Sequence, residues 1–209
     1  MTSVANRRSV MVLYSDRISP IGHAVRLVLA EKDINVEINY ISGDNLPEEI
    51  VEINPYNTAL TLIDRELVLY DAQIIMEYLD ERFPYPPLMP VDPVARASNR
   101  QIRYRIIKDL YISIEDIGSN DKLVAASAKD NIRDHLTSVS VAFAKKPFFM
   151  SDEYSLVDCC MAPLLWRLEY FGIKLPASAK PLQQYANRLF EREAFRLSLS
   201  ARERELRAD

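Results

Sequence analysis

Hydrophobic and polar residues follow two different patterns along the chain, and the change falls near residue 84. Short apolar runs typical of β-strands lie at residues 9–14 (SVMVLY) and 35–41 (NVEINYI). Between them, in PIGHAVRLVLAEKD, apolar residues recur on one face, as in an amphipathic helix that begins at Pro20. The chain is therefore predicted to start with a strand, a helix and a second strand.

The next segment predicts a short helix, a β-hairpin and a longer helix. LPEEIVEIN is the short helix, and NTALTLIDRELVLYDA, residues 57–72, is the hairpin, with its turn at Asp64-Arg65. AQIIMEYLDERF follows as a helix that stops before Pro84, because a residue that precedes proline disfavours the helical conformation. The order βαβαββα predicts a thioredoxin-like domain over residues 1–83.

A proline-dense linker separates this domain from a helical one. PYPPLMPVDP, residues 84–93, holds five prolines in ten residues. Helical periodicity then runs through residues 94–209, without the alternation of a strand. Ser155 followed three residues later by Asp158 predicts a capping box at the start of SLVDCCMAPLLWRL. The fold class is therefore an α/β domain plus an all-α domain.

Composition and charge exclude several classes of function. The 209 residues are 48% hydrophobic and 27% charged, with a formal net charge of -4, which argues against a protein that coats nucleic acid. No apolar run is long enough to span a membrane, so we expect a soluble, cytoplasmic protein.

Cys159 and Cys160 are adjacent and, with His23 and His135, form no metal-ligand spacing. We expect reduced, buried thiols, histidines with ordinary polar or packing roles, and no metal.

The order of elements resembles the glutathione S-transferase fold over essentially the whole chain. Four blocks more narrowly resemble the bacterial stringent starvation protein A family: SVMVLYSD, VRLVLAEK, DRELVLYDAQIIMEYLDERFPYPPLMPV and FFMSDEYSLVDCCMAPLLWRL. This resemblance implies a homodimeric transcription regulator, built on a transferase fold without transferase activity. Its implied partner is the sigma-containing RNA polymerase holoenzyme in stationary phase and stress, with promoter DNA contacted only through the polymerase.

Two features of the hairpin depart from glutathione-binding transferases. Those enzymes have a cis-proline where this chain has Leu60, and a cis bond before a non-proline residue costs about 2.5–4 kcal/mol. We therefore expect a trans bond before Leu60. The transferases also place an acid and a hydroxyl at the start of the next helix, where this chain has Asp71-Ala72 and lacks the hydroxyl. We expect no glutathione and no other cofactor.

An active glutathione S-transferase or peroxidase is the main alternative. Such enzymes carry a nucleophile just after the first strand, where this chain has Tyr14, Ser15 and Ser19; the alternative enzyme would use Ser19 or Tyr14. Because Ser19 immediately precedes Pro20, it is also suited to cap the next helix, and we favour that role. A third, weaker alternative is an adaptor that senses a small ligand and pairs with a paralogous subunit.

The proline-rich loop is the predicted partner-binding surface, formed by Pro84, Tyr85, Pro86 and Pro87. Prolines stiffen a loop before it binds, which lowers the entropy lost on docking, and a tyrosine supplies an aromatic anchor. The resemblance implies that, in the stringent starvation protein A family, a Pro-His-Pro tripeptide at this position contacts the polymerase and its housekeeping sigma factor. In this chain Tyr85 replaces the histidine of that tripeptide. Prolines also end helices and link domains, which is the simpler interpretation.

Two charged segments complete the list of candidates. Arg96, Arg100 and Arg103 share one helix face. They either form a patch for an acidic or phosphate-bearing partner or, as we favour, pair with carboxylates of a second protomer at a dimer interface. The C-terminal SARERELRAD is predicted to be a solvated helix end or a frayed terminus.

Overall fold

A computed structural model describes residues 10–207 of the chain. Four strands form one sheet in the order β2-β1-β3-β4, in which β1 and β2 are parallel and the other neighbours are antiparallel. The strands are β1 (Val12–Ser15), β2 (Glu37–Tyr40), β3 (Thr61–Asp64) and β4 (Leu67–Leu69). With helices α1 (Pro20–Glu31), α2 (Glu48–Ile53) and α3 (Ala72–Arg82), they confirm the predicted βαβαββα order.

The observed boundaries differ slightly from those that the pattern predicts. The first predicted strand starts outside the described residues, and β1 extends one residue further, to Ser15. The hairpin turn lies at Arg65-Glu66, one residue later than predicted, and Arg65 adopts a left-handed φ of 59°. Helix α3 ends at Arg82, before Pro84, as predicted.

The second half of the chain is helical. Its helices are α4 (Pro93–Arg105), α5 (Ile112–Ile117), α6 (Lys122–Val139), α7 (Leu156–Trp166), α8 (Lys180–Phe190), α9 (Glu193–Ser198) and α10 (Ala201–Glu205). A π-helical segment, Ile106–Tyr111, joins α4 to α5, and 3-10 turns span Ser140–Ala144 and Ala177–Ala179. Among the described residues after α4, β-type pairing is confined to one isolated bridge between Phe148 and Ser151. The prediction of a helical half is therefore confirmed.

The buried helix α7 is held at its N-terminus by the predicted capping box. Ser155 caps the helix, and Asp158 accepts a hydrogen bond from the Ser155 backbone N–H at 2.8 Å. The same carboxylate accepts from the Phe149 N–H at 2.9 Å and from the Tyr185 hydroxyl at 2.7 Å. Burial raises the pKa of Asp158, although these hydrogen bonds oppose the rise. One carboxylate thus joins α7 to the preceding loop and to α8.

A buried ionic cluster joins the C-terminal residues to α1 and to the end of α7. Glu203 accepts two hydrogen bonds from Arg26, each of 2.6 Å, and a further one from Arg167. Arg26 and Arg167 are at most 2% exposed and Glu203 is fully buried. The prediction of a solvated or frayed tail is therefore wrong at Glu203. Its mixed-charge pattern gave no sign of burial, because both arginine partners lie far away in sequence.

His23 packs against this cluster as a neutral side chain. Its Nε2 lies 2.8 Å from the Ser198 hydroxyl, and its Nδ1 lies 3.1 Å from a guanidinium nitrogen of Arg167. Since a guanidinium only donates, Nδ1 accepts and the ring proton belongs on Nε2. Burial, followed by the charges of Arg167 and Arg26, lowers the pKa of His23 well below its ordinary value. His23 is thus a packing residue, as predicted.

We expect the His23→Gln variant to lose less stability in mild acid than the wild type does. Folded His23 resists protonation, whereas the same side chain in the unfolded chain takes up a proton below about pH 6.5. The unfolded state then binds more protons, so His23 lowers the free energy of unfolding as the pH falls. Its contribution approaches about 1.4 kcal/mol per pH unit. Denaturant unfolding between about pH 7 and pH 5 measures this slope.

His135→Gln is the matched control, since His135 is the only other histidine of the chain and is partly exposed. A slope that changes in His23→Gln and not in His135→Gln would assign the effect to His23. Equal slopes in wild type and His23→Gln would show that His23 does not resist protonation.

Candidate functional site

Tyr14 and Ser19, the two favoured candidate nucleophiles of a transferase, each make a hydrogen bond within the protein. Tyr14 is 3% exposed, and its hydroxyl donates to a carboxylate oxygen of Glu49 at 2.5 Å. Ser19 caps α1 as predicted, because its hydroxyl accepts the Gly22 N–H at 3.4 Å. Both hydroxyls are therefore engaged at the position where a transferase activates the thiol of glutathione.

Two charged side chains, Arg26 and Asp16, also make hydrogen bonds within the loop between β1 and α1. The buried Ser15 hydroxyl accepts a hydrogen bond of 2.6 Å from Arg26, the arginine that binds Glu203. Asp16 accepts the backbone N–H groups of Ile18 and Ser19 at 2.7 and 2.9 Å. The carboxylate of Asp16 thus lies near the N-terminus of α1, where a like charge disfavours a second anion such as a thiolate.

The hairpin lacks two further features of a glutathione site. The bond between Ala59 and Leu60 is trans, as predicted, since the one cis bond among residues 10–207 joins Tyr85 and Pro86. Asp71 caps α3 by accepting the N–H groups of residues 73 and 74 at 2.9 and 3.0 Å. The next position, which holds a hydroxyl in transferases, is the buried Ala72. Asp71 therefore has a structural role in this chain, as the N-cap of α3.

The predicted partner-binding residues form an exposed loop between α3 and α4. Tyr85 is 83% exposed, and Pro84, Pro86 and Pro87 are exposed beside it. Immediately afterwards, Leu88 enters the core at 3% exposure. The loop therefore presents one exposed aromatic side chain between prolines. Its C-terminal end is fixed, because the next residue, Leu88, is buried in the core.

A buried ion pair beneath this loop was missed by the sequence analysis. The Lys32 ammonium group donates to Asp80 at 2.5 Å, to the Phe83 carbonyl at 2.7 Å and to the Pro86 carbonyl at 2.5 Å. Asp80 also accepts the Leu88 N–H at 2.8 Å. The only signal available was the charge of Asp80 next to apolar positions of α3, and its partner lies 48 residues earlier.

The arginines of α4 pair with α3 of the same chain. Arg100 lies 2.7 Å from Glu77, the fully buried Arg103 side chain contacts the same carboxylate, and Arg96 lies 3.3 Å from Glu81. Burial alone would raise the pKa of Glu77, but the two arginines hold it below its ordinary value. Helix α3 therefore supplies carboxylate partners within the same chain, and pairing with a second protomer stays a prediction.

The described residues offer no metal centre and no membrane span. Within residues 10–207, no group of three or more His, Cys, Asp or Glu side chains could hold a metal ion. In the same range, every helix is too short or too polar to cross a bilayer. Cys159 and Cys160 are buried free thiols, and burial raises the pKa of Cys160 to about 12. A thiol held in its neutral form is a poor nucleophile.

Two family models match the chain along most of its length. Residues 13–87 match the glutathione S-transferase N-terminal domain, and residues 100–193 match the glutathione S-transferase C-terminal domain.

Solved structures agree with these matches at the level of the fold. A rice glutathione S-transferase in complex with glutathione has a TM-score of 0.83 at 21% identity, covering 94% of this chain and 93% of its own. A glutathione S-transferase from Methylobacillus flagellatus with bound glutathione has a TM-score of 0.80 at 24% identity, covering 91% of this chain and 100% of its own.

Two relatives with more similar sequences identify the family more narrowly than the fold does. The stringent starvation protein A homolog of Coxiella burnetii is 45% identical over 202 residues, which cover 96% of this chain and 97% of the relative. The homolog of Pasteurella multocida is 45% identical over 200 residues, which cover 95% and 94% of the two chains. The chain therefore belongs to the stringent starvation protein A family, within the glutathione S-transferase superfamily.

Proposed function

We propose that this protein is a cytoplasmic transcription regulator that binds the sigma-containing RNA polymerase holoenzyme and has no transferase activity. Membership of the stringent starvation protein A family supports a role in stationary phase and stress, where altered promoter use would change gene expression. The docking surface is the loop formed by Pro84, Tyr85, Pro86 and Pro87.

The observation that carries this proposal is the geometry of the loop. Tyr85 leaves 83% of its surface in solvent, although a large aromatic side chain is usually more buried. Aromatic anchors dominate the free energy of many interfaces, and a stiff backbone reduces the ordering cost of docking. The loop thus has the chemistry of an interface hot spot that lacks its partner.

The proposed mechanism is a bridge between proteins. The rigid loop docks on sigma and on a neighbouring polymerase subunit, and thereby changes which promoters are opened. The net charge of -4 disfavours direct binding to DNA, so promoter DNA is contacted through the polymerase.

We also propose a homodimer, in which each protomer presents one loop. Leu67 and Ile74 are 40% and 58% exposed, and they line a shallow depression between β4 and α3. Exposed apolar side chains that lie together favour association with another protein surface.

An active transferase or peroxidase that uses Ser19 or Tyr14 is the second candidate. The fold similarity to glutathione-bound enzymes favours it. The engaged hydroxyls, the carboxylate of Asp16 and the missing hydroxyl at Ala72 disfavour it.

We expect Tyr85→Ala to weaken binding to sigma-loaded RNA polymerase by about 30-fold, the effect of losing about 2 kcal/mol at a hot spot. The triple variant Pro84→Ala/Tyr85→Ala/Pro86→Ala should lose retention on immobilised holoenzyme. Tyr170→Ala is the control, because Tyr170 is another exposed tyrosine, at 54%, outside the loop. Equal retention of wild type and triple variant, with both folded and dimeric, would move the contact elsewhere.

We expect no saturable binding of glutathione in calorimetric titrations and no turnover of an electrophile by the wild-type protein. The physical reasons are the capping roles of Ser19 and Asp71 and the charge of Asp16. Turnover that disappears in Ser19→Ala or Tyr14→Phe would establish the enzyme and refute a purely regulatory role.

A further inference from the structure

The buried ammonium group of Lys32 donates to Asp80 of α3 and to the backbone on both sides of Tyr85. Tyr85 belongs to the docking loop, which is the loop formed by Pro84, Tyr85, Pro86 and Pro87. It follows the last turn of α1, and its side chain is fully buried. An ammonium group has three N–H donors, and the three acceptors of Lys32 are Asp80, the Phe83 carbonyl and the Pro86 carbonyl. Two of the three are backbone atoms at either side of Tyr85.

The composition of the loop explains why it needs an external donor. Pro84, Pro86 and Pro87 have no backbone N–H, so between Phe83 and Met89 only Tyr85 and Leu88 can donate. The loop therefore has few donors with which to satisfy its own carbonyl groups. Lys32 supplies two donors at carbonyls, and Asp80 accepts the Leu88 N–H.

Stability alone is a weak reason for a buried ion pair at this place. Removing two charges from water costs several kcal/mol per ion, and apolar side chains of similar volume are often equally stabilising. A buried pair does restrict the backbone groups that it contacts to one arrangement, because charge-assisted hydrogen bonds are strong and directional. In this chain the restricted groups are the two ends of the loop that carries Tyr85.

We propose that Lys32 and Asp80 are positioning residues for partner binding. They hold the backbone from Phe83 to Leu88 in the conformation that keeps Tyr85 in solvent, so that the loop docks without an ordering step. This inference rests on the proposed function, because it assigns the pair to the same docking surface.

The test uses two variants that separate stability from positioning. Lys32→Met leaves the carboxylate of Asp80 buried without its cation, so both the melting temperature and polymerase binding should fall. Lys32→Met/Asp80→Asn removes that charge, while the asparagine oxygen can still accept the Leu88 N–H. The double variant should regain most of the melting temperature but still bind the holoenzyme about tenfold more weakly than wild type.

Arg192→Met is the matched control for a loss of stability. It breaks the ion pair with Glu31, which lies 2.6 Å away and next to Lys32 in sequence, while the hydrogen bonds of Lys32 to the loop stay in place. This variant should lose stability and keep wild-type affinity for the holoenzyme at temperatures where it is folded.

Amide hydrogen exchange at Leu88, whose N–H is donated to Asp80, tests the positioning without the polymerase. We expect exchange in the double variant to be about tenfold faster than in wild type, from local opening of the loop. Unchanged exchange, or affinity that recovers together with the melting temperature, would overturn the inference. Faster exchange in a protein whose wild type fails to bind the holoenzyme would sustain the positioning of the loop and reject the proposed function instead.

Discussion

The shared carboxylate of Glu203 is the constraint on which the arrangement of the molecule depends. Two arginines, Arg26 from α1 and Arg167 from the end of α7, converge on it in the absence of solvent. Removing Glu203 would leave both arginines buried without their counter-charge, and breaking a buried pair in this way costs about 3–5 kcal/mol. Because Arg26 also binds the Ser15 hydroxyl, the same cluster fixes the loop that follows β1.

Helix α1 connects this cluster to the exposed proline-rich loop that carries Tyr85. Arg26 lies in the middle of the helix and binds the C-terminal residues, whereas Lys32, just past its end, binds the carbonyl groups around Tyr85. Both side chains are buried cations that satisfy distant parts of the chain. The glutathione S-transferase fold is retained, and one helix contacts both the buried cluster and the backbone on either side of Tyr85.

The sequence predicted the features that depend on local residues. The strand and helix order, the caps at Ser19 and Ser155, and the trans bond before Leu60 follow from short-range patterns, and the structure confirms them. The buried charges could not be predicted in the same way. Lys32 and Glu203 resemble ordinary solvated residues of charged helix ends, and only the fold brings their partners within hydrogen-bonding distance.

Site-specific photocrosslinking from position 85 tests the central claim most directly, since it asks what the exposed ring touches. A benzophenone side chain would replace Tyr85 in one variant and Tyr170, 54% exposed, in a control. Both variants would be irradiated with sigma-loaded RNA polymerase. The account predicts an adduct with sigma or a neighbouring polymerase subunit from position 85 and none from position 170. A complex that forms without any adduct from position 85 would contradict it.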